Sequence, residues 1–345
     1  MMRELFLHAG PAKTGTSTIQ AFLFANSDLL SRAGLYVPAP ERADTKGNHG
    51  HLLFELGQSP PHLLRPPRTL AGELRDHGMP SKVILSSEAY EPRLMVPALA
   101  KAISEHVARL GYRLRVISYV RPQMALANSH FAQSTTTLRP LPLFDSYLTP
   151  WFAAWHVHNH LWRHRRLAEA GIETMHIPYT SALRKGGIGE DLLQRLGVAE
   201  TAIAACGTVP DQNQSPGPKA IAAMHAIATG AADEISRAAP AKVVAAAQQL
   251  KQLIAEKGWN RGHFQALTED DKHRIQSAFA PSNRNFANAA WRLNWPDTFG
   301  DDEANFLARP QSVFVPCHAE RAERDEFEDF CRAAMEFVKT FLSAG

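Results

Sequence analysis

Sixteen residues near the start of the chain constrain its fold more than any other stretch: Leu5-Phe6-Leu7-His8-Ala9-Gly10-Pro11-Ala12-Lys13-Thr14-Gly15-Thr16-Ser17-Thr18-Ile19-Gln20. A short apolar run stops at Gly-Pro. A loop of small residues follows with a single lysine in it, and Ile19, Ala21, Phe22, Leu23, Leu29 and Leu30 then carry a helix-like apolar pattern. A strand that turns tightly into a helix presents unpaired backbone N–H groups at the helix N-terminus, and such groups cradle anions. Gly15 lets the backbone turn and approach a ligand closely, and Lys13 adds a point charge suited to phosphate. The order is not that of a Walker A loop, where the lysine follows the last glycine. Here Lys13 precedes Gly15, and Thr14, Thr16, Ser17 and Thr18 surround them. The competing reading is a plain strand-to-helix turn with hydroxyl caps; one lysine and several hydroxyls on the same turn favour phosphate.

The pattern of strand followed by helix recurs. Residues 3–9 read as a first buried strand and 16–33 as its helix, with Gly34 as the stop. Residues 38–68, rich in Pro, Gly and His, read as a loop region with one short helix at His51–Leu56. A helix near Thr69–His77 leads to the run Lys82-Val83-Ile84-Leu85-Ser86-Ser87-Glu88, and a helix over 94–110 to Leu114-Arg115-Val116-Ile117-Ser118-Tyr119-Val120-Arg121-Pro122. Residues 123–133 read as helix, 145–170 as a helical region broken by Pro150, 173–179 as a fourth strand, and 189–196 as a further helix. Strands alternating with helices predict an α/β fold, a three-layer parallel sheet of the P-loop nucleotide-binding type with helices on both faces. Ligands of such sheets lie beyond the carboxyl ends of the strands. Lys13, Glu88 and Arg121 all fall there, on three different strands. After Cys206 the chain turns Ala-rich, and 219–238, 241–257, 268–280 and 320–342 read as helices. The organisation expected is a nucleotide-binding core over 1–200 and a mainly helical extension over 201–345 that completes the same domain.

The 345 residues suffice for a large core, and a net charge of +3 with scattered basic residues gives no nucleic-acid footprint. No run approaches the roughly 18 apolar residues that span a bilayer. Arg3 and Glu4 precede only a few apolar residues, which is not a signal peptide. The three cysteines are far apart and odd in number, so a reducing, cytoplasmic location is expected.

Arg121 closes the third strand and Ser129 stands eight residues on, in the following helix. A phosphate at the strand tip takes a charge-assisted bond from such an arginine. Pro-x-Lys-Thr-Gly-Thr-Ser/Thr at 11–17 resembles the 5′-phosphosulfate loop of sulfotransferases that use 3′-phosphoadenosine 5′-phosphosulfate (PAPS), and the Arg121-x7-Ser129 spacing resembles their 3′-phosphate site. The turn Tyr119-Val120-Arg121-Pro122-Gln123, the run from Tyr147 through Trp155 to the strand at 173–179, Gly189-Glu190-Asp191-Leu192-Leu193, Leu196-Gly197, Asn213-Gln214-Ser215 and Pro281-Ser282-Asn283-Arg284 follow in order. They resemble a bacterial sulfotransferase family related to the carbohydrate (heparan-type) sulfotransferases, over most of residues 4–290. One departure is Pro122, where that pattern has a second basic residue.

The resemblance implies transfer of a sulfuryl group from PAPS to an acceptor hydroxyl, with the adenosine bisphosphate PAP as product and no metal. Lys13 would stabilise charge on the bridging oxygen. Backbone N–H groups of Thr14, Gly15, Thr16 and Ser17 would hold the 5′-phosphate, with help from the hydroxyls of Thr16, Ser17 and Thr18, and Arg121 and Ser129 the 3′-phosphate. The acceptor would be a small molecule or glycan. Glu88 is the candidate base, against a reading in which it caps the next segment or pairs with Arg121 or Arg93. His49 and His51 are the rival bases, because imidazole is better matched to neutral pH. His156, His160 and His164 repeat at helical spacing and read as a solvated face rather than a metal site. Trp151, Trp155 and Trp162 read as core. Two other classes stay open: a non-catalytic homologue that binds nucleotide or glycan, and a P-loop kinase, against which the displaced lysine argues.

Overall fold

The apolar runs form strands because each can be buried from two sides. In the computed structural model, which describes residues 2–11, 13–39, 47–50, 52, 69–209 and 216–343, four strands lie parallel in one sheet. They are β1 (Arg3–His8), β2 (Lys82–Ser86), β3 (Tyr112–Val120) and β4 (Glu173–Pro178), in the order β2-β1-β3-β4. β1 is central: His8 stands opposite Ser86 of β2 and Ile117 of β3. Side chains alternate between the faces. Leu5, Leu7, Val83, Leu85 and Val116 pack with Leu74, Ile103, Val107 and Leu167 from helices Leu70–Asp76, Pro97–Arg109 and His160–Glu169. Phe6, Ile84, Ile117 and Ile177 pack on the other side with Ile19, Leu23, Leu30 and Leu192, from helices Thr16–Ala25, Ser27–Arg32 and Ile188–Arg195. The fold is thus α/β with an all-parallel sheet covered on both faces.

The chain forms two interleaved units. The first takes Met1–Arg121, His156–Asn213 and Ala280–Asp302; the second takes Pro122–Trp155, Gln214–Phe279 and Glu303–Gly345. This differs from a division near residue 200, because 122–155 leave the sheet-bearing part and 280–302 join it. Phe286, Ala287, Trp295 and Phe299 cluster on Val120 at the end of β3. The described part of the second unit is helical. Met224, Ile227, Leu250 and Val338 form one of its clusters and Phe131, Phe144, Trp151 and Phe279 another. Buried Lys272 points its ammonium at the backbone carbonyls of Leu307 (3.1 Å) and Arg309.

Several elements depart from the sequence expectation. The helix over 16–33 is two helices, parted at Asn26. Pro150 does not break its helix, Phe144–Ala153; the breaks fall at Ala154 and Asn159, where the Asn159 side-chain oxygen Oδ1 caps the next helix by accepting from Trp162 N. The helix expected over 268–280 runs Glu269–Trp291, and Trp295–Leu307 is a helix that was not expected. The helix expected at His51–Leu56 and the Asn213-Gln214-Ser215 segment lie outside the described residues. Among the described residues no helix is long and apolar enough to cross a membrane.

Candidate functional site

Every strand tip of the first unit contributes to one place, the loop after β1. Lys13 holds φ +71° and Gly15 φ +78°, so two of three consecutive residues are left-handed. That is costly for a lysine and easy for a glycine. Gly15 is the N-cap of helix Thr16–Ala25 and supplies no side-chain cap. Ile19 N donates to Gly15 O (3.0 Å), and helix geometry leaves the N–H groups of Thr16 and Ser17 directed out of the helix end. A Cβ at Gly15 would stand 2.8 Å from Ile188 Cδ1 and 3.0 Å from Tyr179 Cε2, so a side chain there would have to displace them. Thr14 is buried and its hydroxyl donates to Pro11 O (2.6 Å), bracing the loop from within rather than facing a ligand. Ser17 is exposed, Lys13 and Thr18 are half-buried.

Glu88 and Arg121 reach this loop from the neighbouring strands. Glu88 follows β2, opens the turn Glu88–Tyr90, and accepts a hydrogen bond from Thr16 Oγ1. Arg121 follows β3; its Nη1 donates to Lys13 O (2.8 Å) and its guanidinium lies 5.8 Å from the centre of the Tyr179 ring. Lys13, Thr16, Glu88 and Arg121 are thereby gathered from three strand ends. Ser129 lies half-buried in helix Gln123–Thr136, within the second unit.

Helix His160–Glu169 holds the two flanking tips. His160 Nε2–H donates to Arg121 O (3.0 Å), and Arg163 pairs with Glu91 at 2.7 Å with both side chains largely buried. Burial raises the Glu91 carboxyl above its usual range, with Arg163 opposing and Glu88 adding to the rise. Burial pushes His160 down to about 3, so it is a neutral donor. The expected solvated histidine face is corrected for two of its three members: His156 is exposed, but His160 is buried against Trp295 and His164 meets His176 at 3.1 Å. Of the three tryptophans, Trp151 is buried, but Trp155 is half exposed (51 %).

His49 is also corrected as a rival base. It is fully buried; Ser86 N–H donates to Nδ1 (3.0 Å) and Nε2–H donates to Pro38 O (2.8 Å). Both nitrogens are committed, so the ring has no lone pair to offer a substrate hydroxyl. Its work is to tie residues 47–50 to the end of β2, through His49 N to Ser86 O as well (2.9 Å). His51 lies outside the described residues.

Beside the loop lies a cavity of about 350 Å³ lined by Thr18, Phe22, Tyr179, Arg184, Lys185, the 186–190 turn, Thr208 and Val209. The Arg184 guanidinium sits 5.7 Å from the Tyr179 ring centre, so the two arginines share that one ring. Sequence reading missed Tyr179, Arg184 and Lys185. The rule that picked Lys13, Glu88 and Arg121, residues just past a strand's carboxyl end, also selects Tyr179 when it is applied to β4. A scan of protein-family models and searches of curated proteins and of solved structures gave no match to this chain.

Proposed function

We propose that the site binds a nucleotide with phosphate on both its 5′ and 3′ oxygens, and that the protein is a PAPS-dependent sulfotransferase built on a P-loop-type nucleotide fold. The observation that carries the reading is the convergence of Lys13, Glu88 and Arg121 on the uncapped helix start at Gly15. A guanidinium and a carboxylate at the loop, a row of backbone donors, and a lysine whose ammonium this reading turns toward the ligand are the set that an in-line transfer between two oxygens requires. The residues fit such a donor. The left-handed loop and bare Gly15 let a phosphate approach the backbone, and the adjoining cavity carries Arg184 and Lys185 for a second anionic group.

In this reading the N–H groups from Gly15 to Ser17 hold the 5′-phosphate. Lys13 stands by the oxygen that bridges phosphorus and sulfur and meets the negative charge left on it. Glu88 takes the proton of the acceptor hydroxyl as that oxygen bonds to sulfur; the sulfur–oxygen bond to the phosphate breaks, and PAP departs. Arg121 and the cavity cations engage the 3′-phosphate. Acceptors are hydroxyls of small molecules or glycans. The test is transfer of labelled sulfate from PAPS to candidate glycans by the full chain and by Glu88→Gln. The reading expects transfer that falls roughly 100-fold or more in the variant, with PAP binding kept. Equal transfer by the variant removes Glu88 as base, and PAP binding without transfer to any acceptor favours a non-catalytic binding module.

A further inference from the structure

His8 ends β1 directly beneath the loop, and nothing in the site described so far uses it. It is fully buried, and its ring meets the edge of Tyr119 at 5.5 Å. Nδ1 is 2.8 Å from Ser86 Oγ, whereas Nε2 has no hydrogen-bond partner among the described residues. The direction of Nε2 is set by its neighbours. A Cβ built on Gly10 would lie 3.3 Å from both His8 Nε2 and Thr14 Oγ1, so the orphan nitrogen and the threonine hydroxyl flank one point inside the loop. Thr14 is itself fully buried, with its hydroxyl proton given to Pro11 O. Burial of the imidazole pushes its pKa down to about 3, so it is neutral. In the tautomer on which the inference rests, the Ser86 hydroxyl donates to Nδ1 and the ring proton sits on Nε2, which with Thr14 Oγ1 flanks the point beside Gly10.

A buried donor without an acceptor is a standing cost that native structures rarely keep without use. Here it lies under a helix N-terminus that has no side-chain cap, in a loop with two left-handed residues. We infer that His8 is a positioning residue for the anion loop: when a phosphate group settles on the loop, Thr14 closes on Nε2 and completes a chain from Ser86 through His8 and Thr14 to Pro11 O. The chain ties loop occupancy to the end of β2, where Ser87 N–H already donates to His8 O (3.0 Å) and Glu88 follows. Ligand binding and placement of the Glu88 carboxylate are then one event.

The inference rests on the loop being an anion site, which the proposed function shares. The two are separated by using inorganic pyrophosphate and PAP as parallel probes. His8→Phe keeps a ring against Tyr119 and removes both nitrogens; His8→Gln keeps an amide donor. Calorimetric titration of wild type and both variants is combined with thermal unfolding in the absence of ligand. The expected result is that His8→Phe binds either probe about threefold to tenfold more weakly, the worth of one hydrogen bond, while its melting temperature stays near that of wild type, because losing the orphan Nε2 offsets leaving the buried Ser86 hydroxyl without Nδ1. His8→Gln retains more of the affinity than His8→Phe. Unchanged affinity in His8→Phe overturns the inference, as does a fall in melting temperature with no weaker binding. Should wild type bind pyrophosphate but not PAP, the donor assignment fails and the His8 test still runs on pyrophosphate. Should wild type bind neither, both fall.

Discussion

Gly15→Ala is the sharpest test of the loop's geometry. At φ +78° an alanine is held in the left-handed region, at a cost of about 1–2 kcal/mol. Its Cβ also meets Ile188 Cδ1 at 2.8 Å and Tyr179 Cε2 at 3.0 Å, closer than carbon atoms approach. Ile188 and Tyr179 both border the cavity, so the Ile188 methyl can shift and the overlap adds little to the left-handed strain. The variant should therefore lose about 1–2 kcal/mol in urea unfolding followed by a probe in the sheet-bearing unit. Ser17→Ala, at an exposed position two residues on, should stay within about 0.5 kcal/mol of wild type. A Gly15→Ala protein as stable as wild type would mean that the loop does not hold its left-handed turn, and the anion cradle would go with it.

Lys13→Met should leave unfolding nearly unchanged and weaken PAP binding at least tenfold by calorimetry; undiminished affinity contradicts a charge at the phosphate. Lys272→Met should destabilise the helical unit by about 1–3 kcal/mol in denaturant unfolding, because two carbonyls at the end of helix Trp295–Leu307 lose their donor. Stability should fall with acid: His8 and His160 are pushed down to about 3, so the unfolded chain takes up their protons first. Their contribution is fully present above about pH 6.5 and is lost as pH falls towards 3. His160→Gln, which keeps a donor for Arg121 O, should flatten that slope by about 1.4 kcal/mol per pH unit; an unchanged slope shows that His160 is not held neutral.

The strands were legible because apolar runs between turn signals leave few alternatives, and three site residues followed from the strand-end rule. What was not legible depends on partners far along the chain. Asn26 interrupts a good helical pattern because its amide bonds Phe22 O (2.9 Å) and its carbonyl accepts from Gly207 N (2.8 Å), 181 residues away. Pro150 sits within its helix, while the break nine residues on is made by the capping side chain of Asn159. Residues 295–307, with Pro296 and Gly300, carry turn signals, yet they form a helix whose Asp302 accepts from Ser181 N (3.0 Å) and caps the segment beside the cavity. His49 reads from the sequence as a loop histidine available as a base. Its burial follows from pairing with Ser86, 37 residues on, which nothing in the local sequence announces.

The central claim is that one loop lysine and one strand-end arginine serve a nucleotide phosphorylated on both sides of its ribose. Calorimetric titration of the full chain with PAP, and in parallel with AMP and with magnesium–ATP, tests it most directly. The account predicts saturable PAP binding, at least tenfold tighter than AMP and independent of magnesium. Absence of PAP binding at millimolar concentration, or a preference for magnesium–ATP, contradicts it.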